Sequence, residues 1–372
     1  MSALALGGLL AGCGSDDEGS AAPTSDEVQA ALDAAVEAGA PGIALEIRGP
    51  AGDEFLTSGY AAVESQEAID PGERFRIASV TKSFTATVVM QLVAEDEIAL
   101  GDTVSELAPG LLAAGGEITV GQLLGHTSGL PEYTKTDAFA ERAGAGKSLT
   151  PEQVLGFVAD DEPEFEPGSQ YAYSDSDNIA LGLIIEEVTG NSFESELNAR
   201  VIEPLGLEQT ELATSFDFPE PHAQGYQYDP DSGELEDVTD ARIDPNGAWA
   251  SGALISTPAD VSSFFAALLG GEVVPPEQLE EMIETVPGAG SPAGPGTNNA
   301  GLGIFGWEIS CGEVWGHTGS WPGFRSLGAA SEDGEGSISM VVNATDLPDE
   351  AQEAVLDAQE LAACRALGRP AG

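Results

Sequence analysis

The stretch that decides the fold lies at residues 79–100, SVTKSFTATVVMQLVAEDEIAL. Its small and apolar residues predict a helix over much of 80–100. Side chains at positions i and i+3 share one face of a helix, so we expect the amine of Lys82 to approach the hydroxyl of Ser79. Backbone N–H groups are free at the start of a helix. A hydroxyl nucleophile, a nearby base and free N–H donors are what an acyl-transfer site needs.

A second motif, Tyr-Ser-Asp at residues 173–175, follows the sequence EPGS at 166–169. A tyrosine beside a lysine can have a lowered pKa and relay protons. Tyr173 is therefore a candidate proton-transfer residue. The alternative for this motif is an aromatic side chain in a turn, packed on the core.

The third motif is His-Thr-Gly at 317–319, continued by Ser320. It predicts a strand edge where Gly319 lets a substrate lie against the backbone, with hydroxyls able to bind a substrate carboxylate. The alternative is a simple turn. A fourth segment, His-Thr-Ser-Gly-Leu-Pro at 126–131, predicts a helix end followed by a turn, with no catalytic role.

The order of the predicted elements indicates a sheet built from both chain ends, with a helical region inserted between them. A cleft between two such parts is a natural place for a small-molecule site. Helices are predicted at 24–38, which begins at a capping box, and at 349–367, and helical patterns fill much of 80–100, 151–160, 178–200 and 259–270. The predicted strands are 42–48, 53–61 and 337–343, and 287–299 is a predicted exposed loop.

Composition and charge limit the classes of function. The chain has 372 residues, of which 42% are hydrophobic and 20% charged, as in a globular protein. The formal net charge of −52 argues against nucleic acid as a partner. Two interpretations of this charge stay open: an acidic secreted protein, or a surface adapted to high salt, which screens self-repulsion. Beyond the amino terminus, no apolar run is long enough to predict a transmembrane helix.

The amino terminus resembles an export signal. Residues 3–12 are apolar and end at Cys13, and residues 10–13, Leu-Ala-Gly-Cys, resemble a bacterial lipobox. The pattern lacks the usual basic residue before the apolar stretch, and the alternative is a stray cysteine in a frayed terminus. We expect residues 1–24 to be a signal and acidic linker and residues 25–372 one globular domain. The expected location is extracellular or in the cell envelope, anchored by lipid at Cys13.

The remaining cysteines, Cys311 and Cys364, form an even pair. They are consistent with a disulfide in an oxidising compartment, and the alternative is two buried free thiols. A bridge between them would close a loop of about 50 residues, which chain-entropy arguments value at roughly 4 kcal/mol.

Together, the three motifs in this order, with the segment 126–131 between them, resemble the penicillin-recognising serine hydrolases. This group includes serine D-alanyl-D-alanine carboxypeptidases, class C β-lactamases and related esterases. The resemblance covers about residues 25–367. Secreted actinobacterial carboxypeptidases also have His-Thr-Gly, a Gly-Leu-Gly strand, here 301–303, and a cysteine pair placed like Cys311 and Cys364. The implied fold class is α+β, an antiparallel sheet flanked by helices plus a mostly helical region, as in β-lactamases and transpeptidases.

The resemblance also implies roles. Ser79 attacks the carbonyl to form an acyl-enzyme, and Lys82 and Tyr173 share the proton transfers. Backbone N–H groups of Ser79 and Ser320 form the oxyanion hole. No cofactor and no metal are expected, because the three histidines are scattered. The implied substrate-binding residues are Asp175, His317, Thr318, Gly319, Ser320 and Arg325.

Two positions depart from the family pattern. Asp175 stands where asparagine is usual, so it can accept a hydrogen bond from Lys82 but adds negative charge beside a carboxylate-bearing substrate. The carboxypeptidases carry an arginine after the Gly-Leu-Gly stretch, where this chain has Phe305 and Gly306. Arg325 is the candidate substitute for that arginine.

We therefore expect a serine hydrolase acting by an acyl-enzyme, above all a D-alanyl-D-alanine carboxypeptidase on peptidoglycan-type peptides. An esterase or a class C-type β-lactamase is the alternative within this chemistry. A catalytically inactive binding protein of the same fold is the alternative outside it. The expected partners are small peptide, ester or β-lactam substrates, with membrane contact only through a lipid anchor, and the expected state is a monomer.

Overall fold

The structure is a computed structural model that describes residues 21–144, 148–229, 232–239, 244–286 and 294–372. The predicted signal with Cys13, and most of the predicted linker, lie outside these residues. Within the described ranges, no helix combines the length and apolar character needed to cross a bilayer. Nor do three His, Cys, Asp or Glu side chains in these ranges group closely enough to hold a metal ion.

The strands form one large sheet and two small ones. The large sheet has seven strands in the order β2-β1-β12-β11-β10-β9-β8, and all its neighbours pair antiparallel. The strands of the described residues are β1 (Gly42–Arg48), β2 (Glu54–Gly59), β3 (Phe75–Arg76), β4 (Glu211–Leu212), β5 (Tyr226–Tyr228), β6 (Leu235–Asp237), β7 (Leu254–Ser256), β8 (Thr297–Ala300), β9 (Phe305–Ile309), β10 (Gly312–Trp321), β11 (Phe324–Ala330), β12 (Ser337–Val342) and β13 (Ala344–Thr345).

Helices flank this sheet, and most of them belong to the chain segment between β2 and β8. The α-helices of the described residues are α1 (Ser25–Glu37), α2 (Thr81–Ala94), α3 (Val104–Leu107), α4 (Val120–Leu124), α5 (Asp137–Gly144), α6 (Pro151–Leu155), α7 (Asp175–Thr189), α8 (Phe193–Leu197), α9 (Glu203–Leu205), α10 (Pro258–Leu269), α11 (Pro276–Ile283) and α12 (Asp349–Leu367). Short 3-10 turns lie at Ala78–Val80, Tyr133–Lys135, Pro245–Gly247 and Trp249–Ser251, and a π turn lies at Asn198–Ile202.

The two largest of the three hydrophobic clusters among the described residues correspond to the two parts of the fold. α1 and α12 pack on the large sheet, in a core that includes Leu32, Leu45 and Val355. α2 and α7 are buried along most of their length in the core of the helical region. The predicted α+β fold, with an antiparallel sheet built from both chain ends and a helical region between them, is confirmed.

The structure sets the ends of the helices in two of the predicted helical ranges. The helix predicted at 80–100 ends at Ala94, because Asp96 takes a left-handed φ of 60° that a helix cannot continue. The helix predicted at 178–200 begins earlier and is broken at Gly190, whose φ is 71°. Glycine adopts this conformation without steric penalty and commonly ends helices.

Two further boundaries are corrected. The helix predicted at 151–160 ends at Leu155, where the chain changes to turns. Of the loop predicted at 287–299, residues 287–293 lie outside the described residues. Residues 297–299 are not loop but part of β8, since their backbone pairs with β9 despite the glycine and proline around them. The predicted closing helix 349–367 is confirmed as α12.

The structure joins Cys311 and Cys364 by a disulfide, with 5.6 Å between the Cα atoms. Cys311 lies in the turn between β9 and β10, and Cys364 lies near the end of α12. The bond therefore attaches α12 to the strand that carries the His-Thr-Gly motif. This matters for the site, because α12 forms one of its walls.

Candidate active site

The structure places Ser79 at the start of a helix. β3 leads into the turn Ala78–Val80, and α2 follows directly. The first N–H groups of a helical segment have no acceptor within it, so the N–H of Ser79 is free of that segment. Lys82 lies one turn further on, and its Nζ donates a hydrogen bond of 3.0 Å to Ser79 Oγ. The predicted approach of amine and hydroxyl is confirmed.

Tertiary contacts hold the turn that carries Ser79. Ala78 has a left-handed φ of 48°, which is uncommon for a residue other than glycine. Ser326 Oγ donates a hydrogen bond of 2.8 Å to the carbonyl of Ile77. A Cβ atom at Gly319 would lie only 2.2 Å from the same carbonyl oxygen. Gly319 is thus needed because β10 packs directly on the backbone that precedes Ser79.

Lys82 is fully buried among hydrogen-bond acceptors. Its Nζ lies 2.5 Å from Asp175 Oδ1 and donates to the carbonyl of Ser251 at 2.7 Å. Burial by itself would lower the pKa of Lys82, but the adjacent Asp175 carboxylate outweighs it, and the pKa is raised. Lys82 therefore carries its proton at neutral pH and acts as a donor to Ser79.

Tyr173 lies beside both groups. Its ring centroid is 5.0 Å from Lys82 Nζ, and its phenol group is near enough to Lys82 and Ser79 for both of them to act to lower its pKa. The lowered pKa expected from the sequence is wrong: burial raises the pKa of Tyr173, and the nearby ammonium offsets this only in part. Tyr173 is therefore a neutral phenol at neutral pH.

Asp175 stands at the start of α7, beside a second carboxyl group. Its N–H donates a hydrogen bond of 2.5 Å to Glu132 Oε2. Burial, and then the charge of Asp175, raise the pKa of Glu132. Asp175, which stands where the resemblance implies an asparagine, forms an ion pair with Lys82.

Thr318 and Ser320 line a pocket that opens beside Ser79. The register of β10 and β11 places Ser320 opposite Arg325, so the two side chains lie on the same face of the sheet. The pocket has a volume of about 240 Å³, and α12 forms its far wall. Its lining comprises Ser79, Tyr173, Thr318, Gly319, Ser320, Arg325, Ser326, Val342, Gln352, Val355, Leu356 and Gln359.

Arg325 has no ionic partner among the described residues, although acidic residues outnumber basic ones 64 to 12 in the chain. Its Nη1 donates instead to Gln352 Oε1, at 3.1 Å. Burial lowers the pKa of Arg325, and the charge of Asp346 opposes this. An arginine remains charged in proteins, so the pocket holds a cation that is available to an anionic group of a ligand.

His317 is buried behind the pocket and is not part of its described lining. Its Nδ1 contacts the carbonyl oxygen of Thr318 at 2.5 Å. Its ring meets Phe305 edge to face at 5.0 Å and lies 6.2 Å from the ring of Tyr173. Burial lowers the pKa of His317 well below its usual range, so the imidazole is neutral.

Sequence reasoning missed two parts of this arrangement. The carbonyl of Ser251 and the α12 residues lining the pocket belong to no recognisable motif. The sequence predicts only a turn at His126, yet its Nδ1 lies 2.9 Å from Asp177 Oδ2 and its ring lies 4.6 Å from that of Tyr173. The only available signal was the repeated occurrence of short polar side chains at 126–128 and 174–177.

Comparison with known proteins gives a consistent result. A family model described as Beta-lactamase matches residues 28–362. Penicillin-binding protein 4 of Amycolatopsis lactamdurans is 31% identical over 243 residues, covering 63% of this chain and 61% of that protein. Penicillin-binding protein 4* of Bacillus subtilis is 26% identical over 72% of this chain and 60% of its own length. The chain thus spans about three fifths of these curated relatives.

Solved structures match over nearly the whole chain. A D-stereospecific amidohydrolase from Streptomyces sp. superposes with a TM-score of 0.79 at 34% identity, covering 91% of this chain and 98% of that chain. The D-amino acid amidase of Ochrobactrum anthropi SV3, complexed with L-phenylalanine amide, superposes with a TM-score of 0.79 at 29% identity, covering 90% and 97%.

Proposed function

The chain belongs to the Beta-lactamase family of serine acyl-enzyme hydrolases, and from this premise we propose that it is a D-alanyl-D-alanine carboxypeptidase acting on peptidoglycan-type peptides. The observation that carries the proposal is Arg325. Among the residues that the structure describes, this cation has no ionic partner, and it lies in the pocket beside Ser79 and Ser320, where the carboxylate at the end of a peptide can bind. A bidentate arginine–carboxylate contact combines charge with defined geometry.

The states of the side chains suggest how acylation proceeds. Ser79 Oγ forms a bond to the scissile carbonyl carbon. Its proton passes to the phenol oxygen of Tyr173 while that phenol gives its own proton to the departing amine, so Tyr173 stays neutral overall. Lys82 remains an ammonium and donates to Ser79 Oγ, which stabilises negative charge as it develops. The N–H groups of Ser79 and Ser320 are the proposed donors to the carbonyl oxygen.

Deacylation reverses the same proton path. Water attacks the acyl carbon and gives a proton to the phenol oxygen of Tyr173, whose own proton returns to Ser79 Oγ. The bond between Ser79 and the acyl carbon breaks, and the shortened peptide leaves as an acid. In this scheme Ser79 forms and breaks the covalent bond, and Ser79 and Tyr173 transfer the protons. Lys82 stays charged throughout.

A second candidate is hydrolysis of D-amino acid amides. It is favoured by the similarity to a D-stereospecific amidohydrolase and a D-amino acid amidase over about nine tenths of the chain. Val342, Val355 and Leu356 form an apolar wall on which a substrate side chain can pack. An amide substrate has no terminal carboxylate, so this reaction would not need Arg325.

The proposed location is the cell envelope. A disulfide between Cys311 and Cys364 is typical of an oxidising compartment. In this proposal Cys13 carries the lipid, and the protein acts as a monomer held at the membrane surface by the linker.

Three substrates test the proposal on the purified chain: a diacyl D-alanyl-D-alanine peptide, D-phenylalanine amide and benzylpenicillin. We expect D-alanine release, and a penicilloyl adduct located on Ser79 by mass spectrometry. Arg325→Gln should raise KM for the peptide at least tenfold and leave amide turnover within threefold. Arg74→Gln is the matched control, since Arg74 donates a hydrogen bond to Gln209 Oε1 and does not belong to the pocket lining.

The other outcomes are equally informative. Turnover of the amide without D-alanine release would replace the carboxypeptidase with the amidase. Rapid turnover of benzylpenicillin would indicate a β-lactamase, and cleavage of a p-nitrophenyl ester alone would indicate an esterase. If neither an adduct nor turnover is detected, the result would support a catalytically inactive binding protein of the same fold.

A further inference from the structure

We propose that His126 is a positioning residue for Tyr173, and that Asp177 and Ser128 hold it in place for this purpose. The inference rests on the proposed role of Tyr173 as proton relay. His126, Ser128 and Asp177 are all buried, and none of them belongs to the described lining of the pocket. Their effect on the reaction must therefore pass through a residue that does touch the substrate.

His126 contacts the chain on both sides of Tyr173. Its carbonyl oxygen accepts the N–H of Ala172 at 2.8 Å, and its Nδ1 faces the N–H of Ser174 at 3.4 Å. Between these contacts the imidazole lies against the phenol ring, with 4.6 Å between centroids and 43° between planes. A residue that holds the backbone before and after Tyr173 and also contacts its ring determines where the phenol oxygen points.

Asp177 and Ser128 in turn hold His126. The Nδ1 of His126 lies 2.9 Å from Asp177 Oδ2, and Ser128 Oγ donates to Asp177 Oδ1 at 2.5 Å. Ser128 Oγ itself accepts the N–H of Leu130 at 3.0 Å. A buried polar network with paired members adopts one defined arrangement, because an unpaired member inside the protein is costly.

The contacts of His126 fit a neutral pair with Asp177. In the inferred arrangement the carboxyl group of Asp177 carries the proton and donates to Nδ1 at 2.9 Å, while Nδ1 also faces the N–H of Ser174 at 3.4 Å. Burial favours the neutral form of both groups, because it raises the pKa of Asp177 and lowers the pKa of His126 to about 3. This neutral pair supports Tyr173 without adding another charge beside Lys82 and Asp175.

The backbone conformation of His126 decides which test variant is suitable. His126 has a left-handed φ of 52°. Such conformations are uncommon for residues other than glycine, although histidine adopts them more often than most residues do. Asparagine tolerates this region better than most residues. His126→Asn therefore keeps the backbone and a polar atom near the Nδ1 position, but removes the ring that contacts Tyr173.

A double-mutant cycle on the full chain tests the inference. The rate of acylation by benzylpenicillin is measured for wild type, His126→Asn, Tyr173→Phe and the double variant. We expect His126→Asn to lower the rate about tenfold and Tyr173→Phe about 10²-fold. If His126 acts through Tyr173, the double variant should be no more than about threefold slower than Tyr173→Phe. A full further tenfold loss in the double variant would overturn the inference.

Two substitutions of Asp177 test the neutral pair and remain informative even if His126→Asn folds poorly. The amide introduced by Asp177→Asn would still donate to His126 Nδ1 and accept from Ser128, so this variant should keep the rate within threefold of wild type. Asp177→Ala removes both contacts and should lower the rate at least tenfold. Equal losses in the two variants would show that a carboxylate is required and would overturn the neutral pair.

His222→Asn is the matched control, since His222 also stacks on an aromatic ring, that of Phe218 at 4.2 Å, outside the pocket lining. It should change the rate less than twofold. Unaltered acylation in His126→Asn would contradict the inference while leaving the proposed function intact. Near-normal acylation in Tyr173→Phe would instead remove tyrosine from the proposed mechanism, and the inference with it.

Discussion

The ammonium group of Lys82 lies 2.5 Å from the carboxylate of Asp175, so the lysine beside Ser79 is ion-paired in the free protein. The pair explains why Lys82 can be fully buried as a cation. A buried charge needs an opposite charge and further hydrogen bonds, and here the carbonyl of Ser251 and the hydroxyl of Ser79 complete the set. It also means that Lys82 donates a hydrogen bond to Ser79 instead of removing its proton.

Asp175→Asn should shift the alkaline limb of the pH profile for kcat/KM to lower pH by about one unit or more. Without the carboxylate, burial dominates and lowers the pKa of Lys82, so the ammonium is lost earlier as pH rises. Rates measured between pH 6 and 11 would show this. Glu332→Gln, at an exposed position, is the control, and an alkaline limb unmoved in Asp175→Asn would contradict the prediction.

The same ion pair has a defined effect on stability. The pKa of Lys82 in the folded protein is raised above its ordinary value of 10.5. Its contribution is therefore fully present below pH 10.5 and is lost only as pH rises through the folded pKa. Denaturant unfolding at pH 7 should show Asp175→Asn to be less stable than wild type, since one buried charge then lacks its partner.

Gly319→Ala should lower the acylation rate at least tenfold. The added Cβ would meet the carbonyl oxygen of Ile77 at 2.2 Å, so β10 or the turn carrying Ser79 must move. Overpacking of this kind destabilises a protein by about 1–3 kcal/mol. Gly72→Ala is the matched control because no atom lies within 4 Å of its added Cβ. Equal rates in the two variants would show that the turn tolerates displacement.

The buried imidazole of His126 should make the protein less stable as pH falls below 6.5. Its pKa is lowered to about 3 by burial, whereas an unfolded histidine titrates at its ordinary value of 6.5, so the unfolded state binds more protons between these values. Asp177, whose pKa is raised, acts in the opposite direction and remains in His126→Asn. The free energy of unfolding should therefore fall faster with acidification in wild type than in His126→Asn, and parallel curves from pH 7 to 4 would refute this.

Removal of the disulfide should reduce both stability and activity. Cys311 and Cys364 are 53 positions apart, and closing a loop of that length stabilises a protein by roughly 4 kcal/mol. The bond also attaches α12, which forms the far wall of the pocket, to the start of β10. Cys311→Ser with Cys364→Ser should lower the melting temperature and raise KM for the peptide. An unchanged KM would indicate that sheet packing alone positions α12.

The fold could be predicted where local patterns are strong. The capping box at Thr24 and Glu27 forms as expected at the start of α1, and the closing helix 349–367 has the predicted bounds. Boundaries were wrong where a single left-handed residue ended a helix, as at Asp96 and Gly190. Short apolar patterns do not reveal which residue will take that conformation, because the surrounding contacts decide it.

The candidate site could be predicted only in part. The spacing of Ser79 and Lys82 was sufficient to predict their contact, because one helical turn brings the two side chains together regardless of the rest of the chain. The protonation states could not be predicted. The expected lowering of the Tyr173 pKa assumed that the lysine charge dominates, whereas burial dominates in the structure.

The sequence by itself thus determined the family, the architecture and the contact between Ser79 and Lys82, since motif order and helical spacing are properties of the chain. The tertiary structure decided everything that depends on residues far apart in the chain. It paired Lys82 with Asp175, brought α12 against the face of Ser320 and Arg325, and placed His126 against Tyr173. The physical reason is that pairing, burial and charge depend on distance in space, and only packing of the sheet against the helical region sets those distances.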